Sequence, residues 1–194
     1  VYILDSNGDG GVLPLPLSRL EGRKLATSDI RFYALNSKGE IEHLILNDAT
    51  GDLGLYGVIT GVQEYNVSLL EVRGGIYQYV IQGQSGTYMS DTIRGFTEGP
   101  AQLKLDVTNL STVKTMAGHE LTELKDSYAM AGANRLDRAG SIQVYLVEEK
   151  DEVKSYTLTQ LTAVSNLDKY KLTGYTDTSH PLGGQIRIVL AEKQ

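Results

Sequence analysis

The sequence predicts an all-β protein of tandem small barrels or sandwiches, built from hairpins and meanders with little helix. Three observations carry that expectation. The 194 residues include 21 Gly and 12 Tyr, the first a turn former and the second a strand former. Apolar side chains alternate with polar ones over short runs, which is strand periodicity rather than the three-to-four spacing of a helix. Asn-Gly, Asp-Gly and similar pairs punctuate those runs at nearly regular intervals.

In chain order, Val1 to Leu4 and Val12 to Leu20 are apolar runs on either side of SNGDGG, a hairpin signal because Gly and Asn tolerate the positive φ that tight turns require. Pro14 and Pro16 lack N–H donors on the same side of the run, which makes 12–17 an edge strand. Ser18 and Glu21 stand at capping-box spacing, so 18–22 is read as a single helical turn. Residues 29–62 form the most regular stretch. Ile30, Phe32 and Ala34 share one face of a strand, Asn36 to Gly39 turn the chain, Ile41 to Leu46 return, and Tyr56 to Tyr65 follow the loop NDATGD. Further strands are predicted over 76–82 and 86–90, then as a pair around Thr108 and Asn109, and over 142–147, 153–161, 170–175 and 185–190. In 117–139 a short helix over 119–126 competes with irregular loop.

The chain also repeats itself. Val1-Tyr2-Ile3-Leu4 matches Val144-Tyr145-Leu146-Val147 at an offset of 144 − 1 = 143, and Val12 with Leu17 matches Val153 with Leu158 at 153 − 12 = 141. Gly39-Glu40-Ile41 has a counterpart in Gly184-Gln185-Ile186, although Ile30-Arg31 also pairs with Ile186-Arg187. On this reading 144–194 repeats 1–53, so 1–53 is the second half of an upstream module and 54–194 is a complete one. The start at Val1 in mid-strand fits a chain cut from a longer protein, and NDATGD becomes a junction between modules.

Composition excludes more than it assigns. No Cys is present, which removes disulfides, thiol nucleophiles and Cys-ligated zinc. The formal charge of −6 is spread without a basic stripe, so nucleic acid is not an expected partner. No apolar run reaches the roughly 18 to 20 residues that span a bilayer as a helix, and no membrane insertion is expected.

Candidate chemistry is sparse. Asp5, Asn7 and Asp9 with Gly10 have the oxygen spacing of the first half of a calcium loop, but Pro16 occupies the position of its closing carboxylate. Asp48 and Asp52 flank Thr50 and Gly51 in a second oxygen-rich loop. Both loops read first as turns and second as weak calcium sites, and no other cofactor is expected. His43, His119 and His180 have no partner at metal-ligand spacing. Ser85 lies in GQSGT within a hairpin, not in a strand-to-helix elbow. Tyr77 and Tyr79, with Tyr65 and Tyr88 nearby, are candidates for an aromatic platform that stacks on sugar rings, against the alternative of strand tyrosines in a core.

Several stretches together carry a family likeness. GEIEHLILNDATGD, YGVITGV, GGQIRIVLAE, the VYxxD…LxLSxL hairpin and YxYxIxGxxGTY over Tyr77 to Tyr88 resemble the repeated β modules that follow S-layer homology domains in cell-surface proteins of Gram-positive Firmicutes. The resemblance implies an extracellular, cell-envelope location and a structural part without catalysis. It implies neighbouring modules of the same protein, cell-wall polysaccharide or other surface proteins as partners. The wall-anchoring motif of that family is not recognisable in these residues, and no site carries over. A carbohydrate or wall-polymer binding module is the alternative. An accessory domain of a surface hydrolase is a third reading, and it requires a deep pocket with paired carboxylates.

Overall fold

The computed structural model describes residues 1–4, 12–17, 20, 24–47, 50–52, 54–67, 72–90, 97–106, 109–177 and 184–194. Its sixteen described strands and two short 3-10 turns make an all-β protein, as the alternation and turn spacing predict. Chain contacts divide it into two units, Val1–Leu53 with Thr178–Gly184, and Gly54–Asp177 with Gln185–Gln194.

The first unit is a four-stranded sheet of β1 (Tyr2–Leu4), β2 (Val12–Pro14), β3 (Ile30–Leu35) and β4 (Ile41–Asn47), in the order β2-β1-β4-β3. β2 is an edge strand, where Pro14 is tolerated because no neighbour needs its missing N–H. β1 runs antiparallel to β2 and parallel to β4. A parallel pair cannot close through a tight turn. The chain therefore leaves β2, crosses the sheet and enters β3 through a 3-10 turn at Thr27–Asp29, where the Asp29 carboxylate accepts from the Ala26 N–H at 2.7 Å. Leu15, Leu20 and Leu25 of that crossover pack with Ile3, Leu44, Leu46 and Ile30 into the core of the unit. The β3–β4 hairpin is closed by Asn36, whose Oδ1 accepts from Lys38 N–H at 2.9 Å and Glu40 N–H at 3.0 Å. Gly39 beside it sits at φ 78°, a conformation in which a Cβ is strained.

The second unit packs two sheets together. A five-stranded meander contains β5 (Leu55–Val67), β6 (Val72–Ile81), β7 (Gln84–Ser90), β8 (Gly99–Asp106) and β9 (Asn109–Thr115), in the order β7-β6-β5-β8-β9. It curls until its edge strands β7 and β9 approach each other. Ile59, Tyr77, Ala101, Leu103 and Leu110 fill the inside of the curl. Along β5 the side chains alternate, so Val58 next to Ile59 points out of the curl. With Tyr56, Val80 and Met116 it packs on the larger sheet.

That larger sheet is made of β10 (Ala117–Glu120), β11 (Glu123–Leu124), β12 (Tyr128–Ala131), β13 (Asn134–Lys150), β14 (Val153–Thr159), β15 (Tyr170–Thr176) and β16 (Ile186–Lys193). Its path is β10-β15-β16-β13-β12-β11, with β14 also on β13. Tyr145, Val147, Ile188 and Leu190 face the meander, while Val144, Leu172, Ile186, Val189 and Ala191 face Leu121, Ala129 and Val164. A strand buried on both faces reads as a continuous apolar run, and QVYLV and QIRIVLA are such runs.

Within this sheet, β14-β13-β16-β15 has the strand order and directions of β2-β1-β4-β3. The parallel registers also coincide. Tyr2↔Ile45, Ile3↔Leu46 and Leu4↔Asn47 correspond to Tyr145↔Leu190, Leu146↔Ala191 and Val147↔Glu192, at offsets of 145 − 2 = 143 and 190 − 45 = 145. The second offset is that of Gly39 and Gly184 (184 − 39 = 145), and both glycines have positive φ, 78° and 80°. Of the two alignments open at this point in the sequence, the register therefore follows the one that pairs Gly39 with Gly184.

Two expectations are corrected. Residues 119–126 form no helix: Ala117–Glu120 and Glu123–Leu124 are strands, and Leu121 N–H donates to the Leu172 carbonyl at 2.8 Å. The leucines at 121 and 124 carry the three-residue spacing of a helix, but sheet neighbours on either side supply the backbone partners. The strand predicted over 153–161 ends at Thr159 and gives way to a 3-10 turn at Leu161–Ala163. The helical turn predicted at 18–22 lies largely outside the described residues. β4 and β5 lie in different sheets, so 41–46 and 56–62 are not neighbouring strands of one barrel.

Candidate functional site

The described residues concentrate their buried polar chemistry at one place in the second unit. β15 and β16 pair Tyr175 with Ile188 and Thr176 with Ile186. Arg187 is the extra residue between them, and a bulge of this kind re-aims the side chain of its strand. The guanidinium meets the Asp177 carboxylate just beyond β15, Nε to Oδ2 2.5 Å, and lies 5.2 Å from the centroid of the Tyr56 ring. Tyr56 OH is 3.3 Å from the same Oδ2, and the Gln185 N–H donates to Oδ1 at 2.9 Å. Asp177 and Arg187 are both buried, 2% and 5% exposed. A desolvated pair is tolerable only when hydrogen bonds satisfy what the ion pair leaves over, and here a guanidinium, a phenol and an amide serve one carboxylate. Such a cluster fixes the ends of the 178–184 connection, since Asp177 N–H also donates to Gln185 O at 3.2 Å. Enclosed as it is, it offers no face to a solute.

The tyrosines expected to form a sugar platform are placed otherwise. Tyr77 and Tyr79 do share a face of β6, but that face points into the curl of the meander. Tyr77 is 0% exposed, and burial followed by the nearby Glu64 carboxylate raises its phenol above the usual value. Tyr79 stacks on Tyr88 with centroids 4.2 Å apart and planes 18° from parallel. Tyr77 is thus unavailable to a sugar, which corrects the expected Tyr77 and Tyr79 platform, and the half-buried Tyr79 gives one ring face to Tyr88. The side chain of Tyr65 lies outside the described residues.

The acidic loops resolve only in part. Asp5, Asn7, Asp9 and Asp48 fall outside the described residues. Asp52 is exposed, and its N–H donates to Thr50 Oγ1 at 3.1 Å, the geometry of a hydroxyl-capped turn. Among the described residues no group of three or more His, Asp or Glu side chains converges as a metal site would require. His43 is exposed on β4, and His119 Nε2 lies 3.3 Å from Thr176 Oγ1, while His180 lies outside the described residues. Ser85 is in β7, paired with Val80 across the hairpin.

A groove of about 680 Å³ runs along the ends of β13, β14 and β16, lined by Val147, Glu148, Glu149, Lys150, Lys154, Glu192 and Lys193. Glu148 and Glu149 are consecutive strand residues and so project to opposite faces. Each has a lysine of its own, Lys193 at 3.4 Å and Lys154 at 3.9 Å. Glu192, a third carboxylate of the groove, is in register with Val147 and so shares a sheet face with Glu149.

Sequence reasoning missed the Asp177–Arg187 cluster. A signal was present in Arg187, a lone cation inside the apolar run QIRIVLA, since a buried charge implies a partner. The partner's identity depends on the bulge register, which the run does not encode. No family model matches the chain, and no curated protein or solved structure proved similar to it.

Proposed function

We propose that this chain is a non-catalytic structural and interaction segment of a secreted cell-envelope protein, of the kind associated with S-layer homology domains. The observation that supports it is the recurrence of one four-stranded arrangement, with one parallel register, at both ends of the chain. Repetition of a folded unit extends a molecule and multiplies its contacts without building a reaction centre. The distribution of polar groups is in keeping: the buried charges are consumed by each other at Asp177 and Arg187, and Glu148 and Glu149 of the 148–193 groove each have a lysine partner. Partners on this reading are neighbouring modules, wall polysaccharide or other surface proteins. Antibody raised against the chain tests the location, with labelling of intact producing cells expected; labelling that appears only after lysis contradicts the proposal.

A further inference from the structure

The two equivalent sheets differ in one respect: what lies on their second face. In each, the crossover between the hairpins covers the first face. Leu15, Leu20 and Leu25 cover Ile3, Leu44 and Leu46 in one sheet, and Leu161, Val164 and Leu167 cover Val144, Leu172 and Val189 in the other. The second face carries the cross-strand row Pro14, Tyr2, Ile45, Phe32 in the first sheet and Leu158, Tyr145, Leu190, Thr173 in the second. Beside those rows the register corrects the sequence match of Val12: its counterpart is Tyr156 and not Val153, through Leu4↔Val12 and Val147↔Tyr156.

The meander buries the middle of the second row, while Leu158 at one end stays 46% exposed and Thr173 at the other is half-buried. Tyr145 is 0% and Leu190 8% exposed beneath Tyr56, Val58, Val80 and Met116, and Tyr156 packs against the same cluster. In the first sheet the corresponding Tyr2 is 44% exposed, and its neighbours Phe32 and Val12 are 53% and 45% exposed. A row of aromatic and aliphatic side chains on a sheet face is the kind of surface that monomers rarely leave open. Sheets that bury such a row do so by packing face to face with another sheet about 10 Å away.

We propose that the Pro14–Tyr2–Ile45–Phe32 face is a docking surface for a β-meander of the type formed by residues 55–116, presenting an apolar face like that of Tyr56, Val58, Val80 and Met116. The occupant is argued from the chain itself, which covers the register-equivalent face in this way. It does not depend on where the protein resides in the cell.

The test adds the occupant. A second copy of residues 54–143 is fused ahead of Val1 of the full chain, so that Gln143 runs into Val1 as it runs into Val144 within β13. Hydroxyl-radical labelling then reads Tyr2 and Phe32. Their oxidation rates are expected to fall relative to the unfused chain, most at Tyr2, whose counterpart Tyr145 is fully buried, and less at Phe32, whose counterpart Thr173 is half-buried. Val58→Asp with Val80→Asp in the added copy alone restores the original rates. Unchanged rates in the fusion overturn the proposal, including the case in which the added segment stays unfolded, because the sheet offered is the one on which that segment is held to fold. Sedimentation of the unfused chain supplies the second arm. A monomer leaves the face open as proposed, whereas a dimer dissolved by Phe32→Lys assigns the face to a second copy and overturns the meander as its occupant.

Discussion

Asp177 illustrates how one carboxylate ties the end of β15 to the start of β16. Its partners are the Arg187 guanidinium, the Tyr56 hydroxyl and the Gln185 amide, and the site is nearly closed to water. Removing one half of such a pair leaves an uncompensated buried charge, at a cost of about 3 to 5 kcal/mol. Arg187→Ala and Asp177→Ala are therefore each expected to lower unfolding free energy by that amount in urea titrations. The double variant Asp177→Leu with Arg187→Met, which removes both charges and keeps volume, is expected to recover most of it. Tyr145 makes a second residue-scale case. Burial raises its phenol above the usual tyrosine value, even though backbone hydrogen bonds around Gln82 and Gly83 pull it down. The folded state thus keeps the proton where the unfolded chain has released it. Stability from this group is complete below the ordinary tyrosine range near pH 10 and is lost as pH rises above it, with a slope of up to about 1.4 kcal/mol per pH unit. Alkaline denaturation of Tyr145→Phe is expected to be less steep than that of the parent chain, with no difference between the two slopes below about pH 9.

At the scale of elements, the hairpins are legible in the sequence, whereas the strands within 117–124 are not. Asn36 to Gly39 announces a turn chemically, because an Asn side chain can accept from the backbone two and four residues on and a Gly can take positive φ. The structure contains those bonds. Residues 119–126 announce nothing so local. Their leucine spacing suits a helix, yet Leu121 is held by Leu172 across a sheet formed by strands about fifty residues away in sequence, and no local pattern reports a distant backbone partner. The platform at Tyr77 and Tyr79 fails for a related reason. Alternation correctly puts the two rings on one side of β6, but whether that side is wet depends on the curl of the meander. One turn remains at odds with its residues. Asp151 and Glu152 both have positive φ, 51° and 66°, in a two-residue hairpin loop closed by Lys150 and Val153. Since left-handed backbone costs a residue with a Cβ about 1 to 2 kcal/mol, Glu152→Gly is expected to stabilise the second unit by roughly 1 kcal/mol and raise its melting temperature. Glu152→Val is expected to do the reverse, because a β-branched residue tolerates positive φ least.

In the whole molecule one geometric relation is central: the sheet built from 1–47 and that built from 144–193 are the same arrangement with the same parallel register. The sequence reveals the first half of that relation through Val1-Tyr2-Ile3-Leu4 and Val144-Tyr145-Leu146-Val147. Further along the resemblance thins, since different side chains satisfy the same backbone pattern where one face is covered and the other exposed; Phe32 and Thr173 occupy equivalent places in the two rows. The proposed structural role and the proposed docking face both descend from this equivalence. Through-space nuclear Overhauser contacts in a labelled sample test it most directly. Parallel cross-strand contacts are predicted at Tyr2 with Ile45 and Leu46 and, in the same relation, at Tyr145 with Leu190 and Ala191. Contacts that set β1 antiparallel to β4, or in a register shifted from that of β13 and β16, would contradict it.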